Sequence, residues 1–317
     1  MKERMLEVSG LYKNYGNFCA VKNLDFSVNK GEVFGFLGPN GAGKTTTMKI
    51  ITGFLPMSQG CVKVAGMDIS ENDLEPRKKI GYLPETTPLY TDMFVDEYLT
   101  FIGRLRGLSG DNLKKRVKKM LEVCGLEEMR KKPVGHLSKG YRQRTGLAQA
   151  MIHEPQLLIL DEPMSGLDPN QIVEIRELVK EIGKEKAVVY CSHILPEVAA
   201  TCNRILIINN GETAAAGTPE EVASKAQERI SYEVTLKTTD KNIQDKFKQV
   251  AQIQEVVIVA SSDDTSVKLK IETNSAKEIG EDIFDIAVKN NWKITQLSHK
   301  KNTLEDVFSK LTKKDAK

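Results

Sequence analysis

The stretch Gly38-Pro39-Asn40-Gly41-Ala42-Gly43-Lys44-Thr45-Thr46 constrains this chain more than any other, because it satisfies G-x-x-x-x-G-K-[ST] with the flanks that pattern requires. Glu32 to Leu37 reads as a buried strand, and Thr46 to Thr52 as a helix stopping at Gly53. A loop between strand and helix start offers a triphosphate three things: backbone N–H groups bared by glycine, the positive end of a helix dipole, and an ammonium point charge. Lys44 is expected on the β- and γ-phosphates and Thr45 on Mg²⁺, while Gly38, Asn40, Gly41, Gly43 and Thr46 shape the cradle.

At 317 residues there is room for about two domains. A net charge of +3 lacks the basicity of a dedicated nucleic-acid binder, so no nucleic-acid partner is expected. No apolar run approaches the roughly 18 to 20 residues that cross a bilayer, and the N-terminus lacks a signal-peptide core; a cytosolic chain is expected. Five dispersed cysteines without a C-x-x-C pair signal neither a disulfide framework nor a zinc site.

Leu6–Leu11 and Val21–Val28 read as strands, joined by a loop holding Tyr15 and Gly16. Tyr15 is either an adenine-stacking ring or an ordinary hairpin tyrosine. Phe94 to Leu105 and Leu113 to Cys124 show helical periodicity, with the basic run Lys114-Lys115-Arg116 read as a solvated face. Ser138 is placed to cap a helix with Gly140 in its first turn, a second anion site. The apolar strand Leu157–Leu160 delivers Asp161 and Glu162 to a sheet rim, where the first carboxylate suits a Mg²⁺ ligand and the second a base that polarises water. Asp168-Pro169 opens a helix, and a strand from Ala187 ends at His193.

After a hairpin at Asn210-Gly211 and a helix beginning at Pro219, the pattern changes. From Ile230 the order reads β-α-β-β-α-β, which fits a small ferredoxin-like sandwich, followed by a final helix over Thr303 to Leu311. The expected fold is thus α/β: a P-loop cassette over residues 1–228, with a helical subdomain over about 86–155, then an α+β domain over 229–317.

In order, these motifs resemble those of the ATP-binding cassette (ABC) ATPases over the first 225 or so residues. GPNGAGKTT is similar to their Walker A, LSKGY to their signature motif, LLILDEP to Walker B, SGLD ending at Asp168 to the D-loop, and His193 to the switch histidine. The resemblance implies that Tyr15 stacks on adenine and His193 contacts the γ-phosphate. It also implies a head-to-tail pair of subunits, identical or different, in which Lys44 of one and Ser138 with Gly140 of the other grip one ATP. Glu85 stands where the family usually has the Q-loop glutamine, and Lys139 and Tyr141 replace the usual glycine and glutamine of the signature. These departures, with the ending Thr303-Leu304-Glu305-Asp306-Val307-Phe308, look like the multidrug and gliding-motility export branch. That branch implies an ATPase powering a separate transmembrane permease, peripheral on the inner membrane face. Two readings compete with it: a soluble ABC ATPase working on ribosomes or DNA, and a C-terminal half that senses a ligand and gates hydrolysis.

Overall fold

The computed structural model describes residues 3–71, 74–226, 230–238, 240, 242–247, 250–262, 266–273, 278–301 and 308. The chain divides into two compact units, residues 1–219 and 220–317.

The first unit opens with β1 (Arg4–Tyr15) and β2 (Phe18–Asn29), a long antiparallel hairpin. Here the structure departs from the expected loop: Tyr15 is the last residue of β1 and pairs directly with Phe18. Next come β3 (Glu32–Leu37), α1 (Lys44–Ile51), β4 (Gln59–Val64), β5 (Met67–Asp68), α2 (Leu74–Lys78) and β6 (Ile80–Leu83). The helices α3 (Val95–Leu105), α4 (Gly110–Val123) and α5 (Lys139–Met151) form a lateral layer. Then follow β7 (Leu157–Asp161), α6 (Pro169–Glu185), β8 (Ala187–Ser192), α7 (Leu195–Thr201), β9 (Arg204–Asn209) and β10 (Glu212–Gly217).

Two sheets result. One is antiparallel in the order β2-β1-β4-β5; the other runs β10-β9-β3-β8-β7-β6, parallel except for the edge strand β10. Every residue of β3, β7 and β8 is buried, as a parallel strand covered on both faces demands. Their inward side chains join those of the antiparallel sheet in one core containing Leu6, Phe34, Phe36, Met48, Leu157 and Val189. The C-terminal ends of β3, β7 and β8 lie side by side, so Leu37, Asp161 and Ser192 come to one rim.

Among the basic residues of α4, Lys114, Lys115, Lys118 and Lys119 are solvated but Arg116 is not. Its guanidinium bonds the carbonyls of Met151 and Ile152 and pairs with Glu154 at 2.6 Å, closing the C-terminal end of α5.

The boundary falls at the start of α8 (Pro219–Ala226), and the second unit goes on with β11 (Ile230–Lys237), α9 (Ile243–Phe247), β12 (Ile253–Ser262), β13 (Ser266–Thr273), α10 (Gly280–Lys289) and β14 (Lys293–Lys301). Its sheet is antiparallel in the order β12-β13-β11-β14, the ferredoxin-like arrangement, over a core that includes Val234, Phe247, Leu269 and Ile283. The helix expected over Thr303 to Leu311 lies outside the described residues, apart from Phe308.

Candidate active site

The loop after β3 is fixed by steric necessity at two glycines. A Cβ on Gly38 would lie 2.5 Å from the Ile208 carbonyl oxygen; Gly43 has φ 106°, and a Cβ there would lie 2.7 Å from the Ala20 carbonyl oxygen. Gly43 thereby precedes α1 directly and turns the helix's first N–H groups toward the loop. The Lys44 side chain, 6% exposed, arches back over this loop, donating to the carbonyls of Gly38 at 2.7 Å and Pro39 at 3.2 Å. Its ammonium also stands 3.9 Å from Glu162 Oε1.

At the end of β7, Asp161 is buried, and its carboxyl is pushed up to about 6. Desolvation is the main cause, reinforced by the charges of Glu162 and Glu85 and offset by Lys44 and by a hydrogen bond from the Thr45 hydroxyl. The Tyr82 hydroxyl bonds the same carboxylate. Glu162 sits at φ +49°, a left-handed conformation rare for a residue with a Cβ, its N–H held by the Cys191 carbonyl at 2.9 Å. This turn aims the carboxylate across the rim, where it meets His193 Nδ1 at 2.9 Å and Ser192 Oγ at 3.3 Å.

Behind Glu162 lies a chain of hydroxyls. Ser192 Oγ is 3.2 Å from Glu197 Oε2, the Tyr190 hydroxyl reaches that oxygen at 3.3 Å, and the Ile194 N–H donates to Ser192 Oγ. Ser192 carries one hydroxyl proton, so it serves one carboxylate at a time. Burial pushes the Glu197 carboxyl up, against the pull of these two hydroxyls.

Ten of the residues singled out in the sequence line one cleft of about 390 Å³: Tyr15, Asn40, Gly41, Gly43, Lys44, Thr45, Thr46, Glu85, Glu162 and His193. Asp161 joins them through Thr45, and Gly38 through the Lys44 ammonium. Ser138, Gly140 and Asp168 do not line it. Ser138 caps α5, accepting from the Tyr141 N–H at 3.4 Å, and Asp168 caps α6 by accepting from the N–H groups of Asn170 and Gln171, both at 3.0 Å. Gly140 and Asp168 share a separate recess of about 500 Å³ beside Gln171.

A phosphate cradle, a buried lysine, an adjoining acid pair and a rim histidine form the constellation that a nucleotide-hydrolysing cassette needs, and comparison with known proteins places it in a family. The ABC transporter profile matches residues 21–165. The uncharacterised ABC transporter ATP-binding protein YxlF of Bacillus subtilis (strain 168) is 35% identical over 97% of this chain and 99% of its own. The chain belongs to the ABC transporter ATP-binding proteins. This ABC ATPase is also 33% identical to the linearmycin resistance ATP-binding protein LnrL of the same organism, over 97% of this chain and 98% of that one. Among solved structures, cbiO1 from Clostridium perfringens, part of the ABC transporter complex cbiONQ, superposes with a TM-score of 0.65 at 29% identity, covering 71% of this chain and 92% of that one.

Sequence reasoning passed over several residues of this ABC ATPase. Ser192, Glu197 and Tyr190 back Glu162, and Tyr82 bonds Asp161. Ser192 and Tyr190 belong to a strand that reads as apolar, and Glu197 carries no motif that singles it out. Phe18 lines the cleft beside Tyr15; an aromatic immediately after a tight turn was its one signal.

Proposed function

We propose that this ABC ATPase powers export through a separate transmembrane permease, by closing and opening an ATP-bridged pair of subunits at the inner membrane face. The observation that carries this reading is the separation of the two phosphate-binding motifs. Lys44 and its loop line one cleft, whereas Gly140 lines another recess and Ser138 caps the helix leading from it. A γ-phosphate gripped by both motifs therefore calls for a second copy, or a related subunit, supplying Ser138 and Gly140 from outside. ATP is then the adhesive of the pair, and hydrolysis releases it.

Within the cleft, Lys44 and the loop amides neutralise the phosphates, Tyr15 carries the base, and Asn40, Gly41, Gly43 and Thr46 line the phosphate path. Glu162 polarises the attacking water, held in aim by His193 and Ser192. The donor set fits a divalent cation. Asp161 and Thr45 offer hard oxygens, Glu85 stands by, and the upward shift of Asp161 marks a carboxylate short of compensating charge. Mg²⁺ held there would neutralise phosphate charge. Asp168 acts by fixing the start of α6 against the recess of Gly140.

Among the described residues no helix is long and apolar enough to cross a membrane, which agrees with a pore on another chain. The resistance named for LnrL agrees with export. Tagging this chain, isolating it from native membranes in mild detergent with ATP, and identifying its companions by mass spectrometry tests the reading. A multi-spanning protein at near-equal stoichiometry is expected. Recovery with ribosomes or DNA, from the soluble fraction alone, would overturn it.

A further inference from the structure

The nucleotide cleft is lined by polar side chains such as Lys44, Thr45, Glu162 and His193, and also by two aromatic rings, Tyr15 and Phe18. Tyr15 and Phe18 are partners across the β1–β2 turn, so their side chains leave the same face of the hairpin as neighbours. Both rings are exposed, at 47% and 65%, although each borders a cleft where a flat apolar ligand would cover it.

Behind Tyr15 stands a third residue. Lys13, 9% exposed, has its ammonium 5.1 Å from the centre of the Tyr15 ring. That ammonium donates to the Pro56 carbonyl at 2.7 Å, and among the described residues no carboxylate pairs with it. A buried ammonium without an anionic partner is costly, and here the ring face and one carbonyl are what compensate it. One face of the Tyr15 ring is thus taken by an anchored cation, leaving the other to the cleft. A cation behind the ring also withdraws electron density from it, which favours stacking of an electron-rich purine in front.

We infer that Lys13, Tyr15 and Phe18 form one base-binding unit: Phe18 supplies a second ring against the purine, and Lys13 is a positioning residue that locks the Tyr15 ring from behind. The inference rests on the ATPase reading and extends it from one stacking ring to three cooperating residues. Because Tyr15 and Phe18 offer ring faces side by side, they grip purines through their π-faces rather than by reading their edges. Adenine and guanine nucleotides are then held similarly, and pyrimidine nucleotides less tightly.

The test is equilibrium binding of ATP, GTP, CTP and inorganic tripolyphosphate to the full chain, in wild type and in Tyr15→Ala, Phe18→Ala, Phe18→Tyr, Lys13→Met and Lys13→Arg. Tripolyphosphate has the anion without the base, so it isolates the phosphate contacts. Losing a stacking ring should weaken ATP and GTP about 10-fold in Phe18→Ala, and losing the cation behind the ring about 3-fold in Lys13→Met. Tripolyphosphate affinity stays within about 2-fold of wild type throughout, and Phe18→Tyr and Lys13→Arg keep near-wild-type ATP affinity. Unchanged ATP affinity in both Phe18→Ala and Lys13→Met, with Tyr15→Ala weakened, overturns the inference and leaves the ATP site intact. Equal weakening of ATP and tripolyphosphate also overturns it, because the effect is then general damage. A wild-type chain that binds ATP no better than tripolyphosphate overturns the underlying site reading instead.

Discussion

Replacing Glu162 by glutamine separates binding from chemistry. In the structure Glu162 accepts from His193 at 2.9 Å and lies 3.3 Å from Ser192 Oγ, both contacts an amide can keep. Its oxygen accepts from His193, and its NH₂ donates to Ser192 Oγ, whose own proton turns to Glu197, 3.2 Å away. The fold is therefore undisturbed. In the proposed role, what is lost is the base, worth about 10²- to 10⁴-fold in rate, or about 3 to 5 kcal/mol of barrier. Binding moves the other way. Lys44 loses the carboxylate 3.9 Å away but keeps its bonds to Gly38 and Pro39, and Asp161 loses the neighbouring charge that helps raise its carboxyl to about 6. Both changes leave the cleft more receptive to Mg-ATP. Steady-state phosphate release together with ATP titration by calorimetry reads the two effects: kcat should fall at least about 100-fold while the Kd for ATP stays equal or tightens. A variant turning over within about 3-fold of wild type would remove Glu162 from the chemical step.

Other outcomes follow from particular contacts. Ser192→Ala removes the hydroxyl between Glu162 and Glu197; kcat should drop about 10-fold with KM unchanged, as expected when a charged acceptor loses one bond, and equal losses in both parameters would point to general damage instead. His153 lies beside Arg106, Lys186 and Arg116 with its Nε2 on the Ile80 carbonyl, and burial above all drives it down to about 4. The unfolded chain binds a proton below about 6.5 while the native ring does not, so this residue's contribution to stability is whole above pH 6.5 and is lost on acidification toward 4. It amounts to at most about 3 kcal/mol. Asp161, shifted upward, contributes with the opposite sign, so the readout is the difference in urea unfolding between wild type and His153→Gln from pH 7 to 4.5. That difference should narrow as pH falls, and a constant gap would refute the assignment.

The elements that carry chemistry were legible because each is local. A glycine-rich turn needs its own φ values, Ser138 and Asp168 cap the helices that directly follow them, and the all-apolar runs ending at Asp161 and Ser192 announce buried strands. The alternation after Ile230 likewise sufficed for the second unit's strand order along the chain. What the sequence withheld is non-local. Nothing in Arg116 distinguishes it from the lysines around it until α5 brings its terminal carbonyls there. Glu197 becomes a buried acid only because α7 turns back beside β8, so that its carboxylate meets Tyr190 and Ser192. The side-by-side setting of β3, β8 and β7, which gathers Lys44, Asp161, Glu162 and His193, arises from crossovers that no short window of residues records.

The central claim is that the ATP site is completed by a second subunit through Ser138. Sedimentation velocity on Glu162→Gln, with and without Mg-ATP, and on the double variant carrying Ser138→Arg, tests it most directly. Monomers are expected without nucleotide, dimers with Mg-ATP, and monomers again in the double variant even though it still binds ATP. Dimers that persist in the double variant, or a Glu162→Gln chain that binds ATP and stays monomeric, would contradict it.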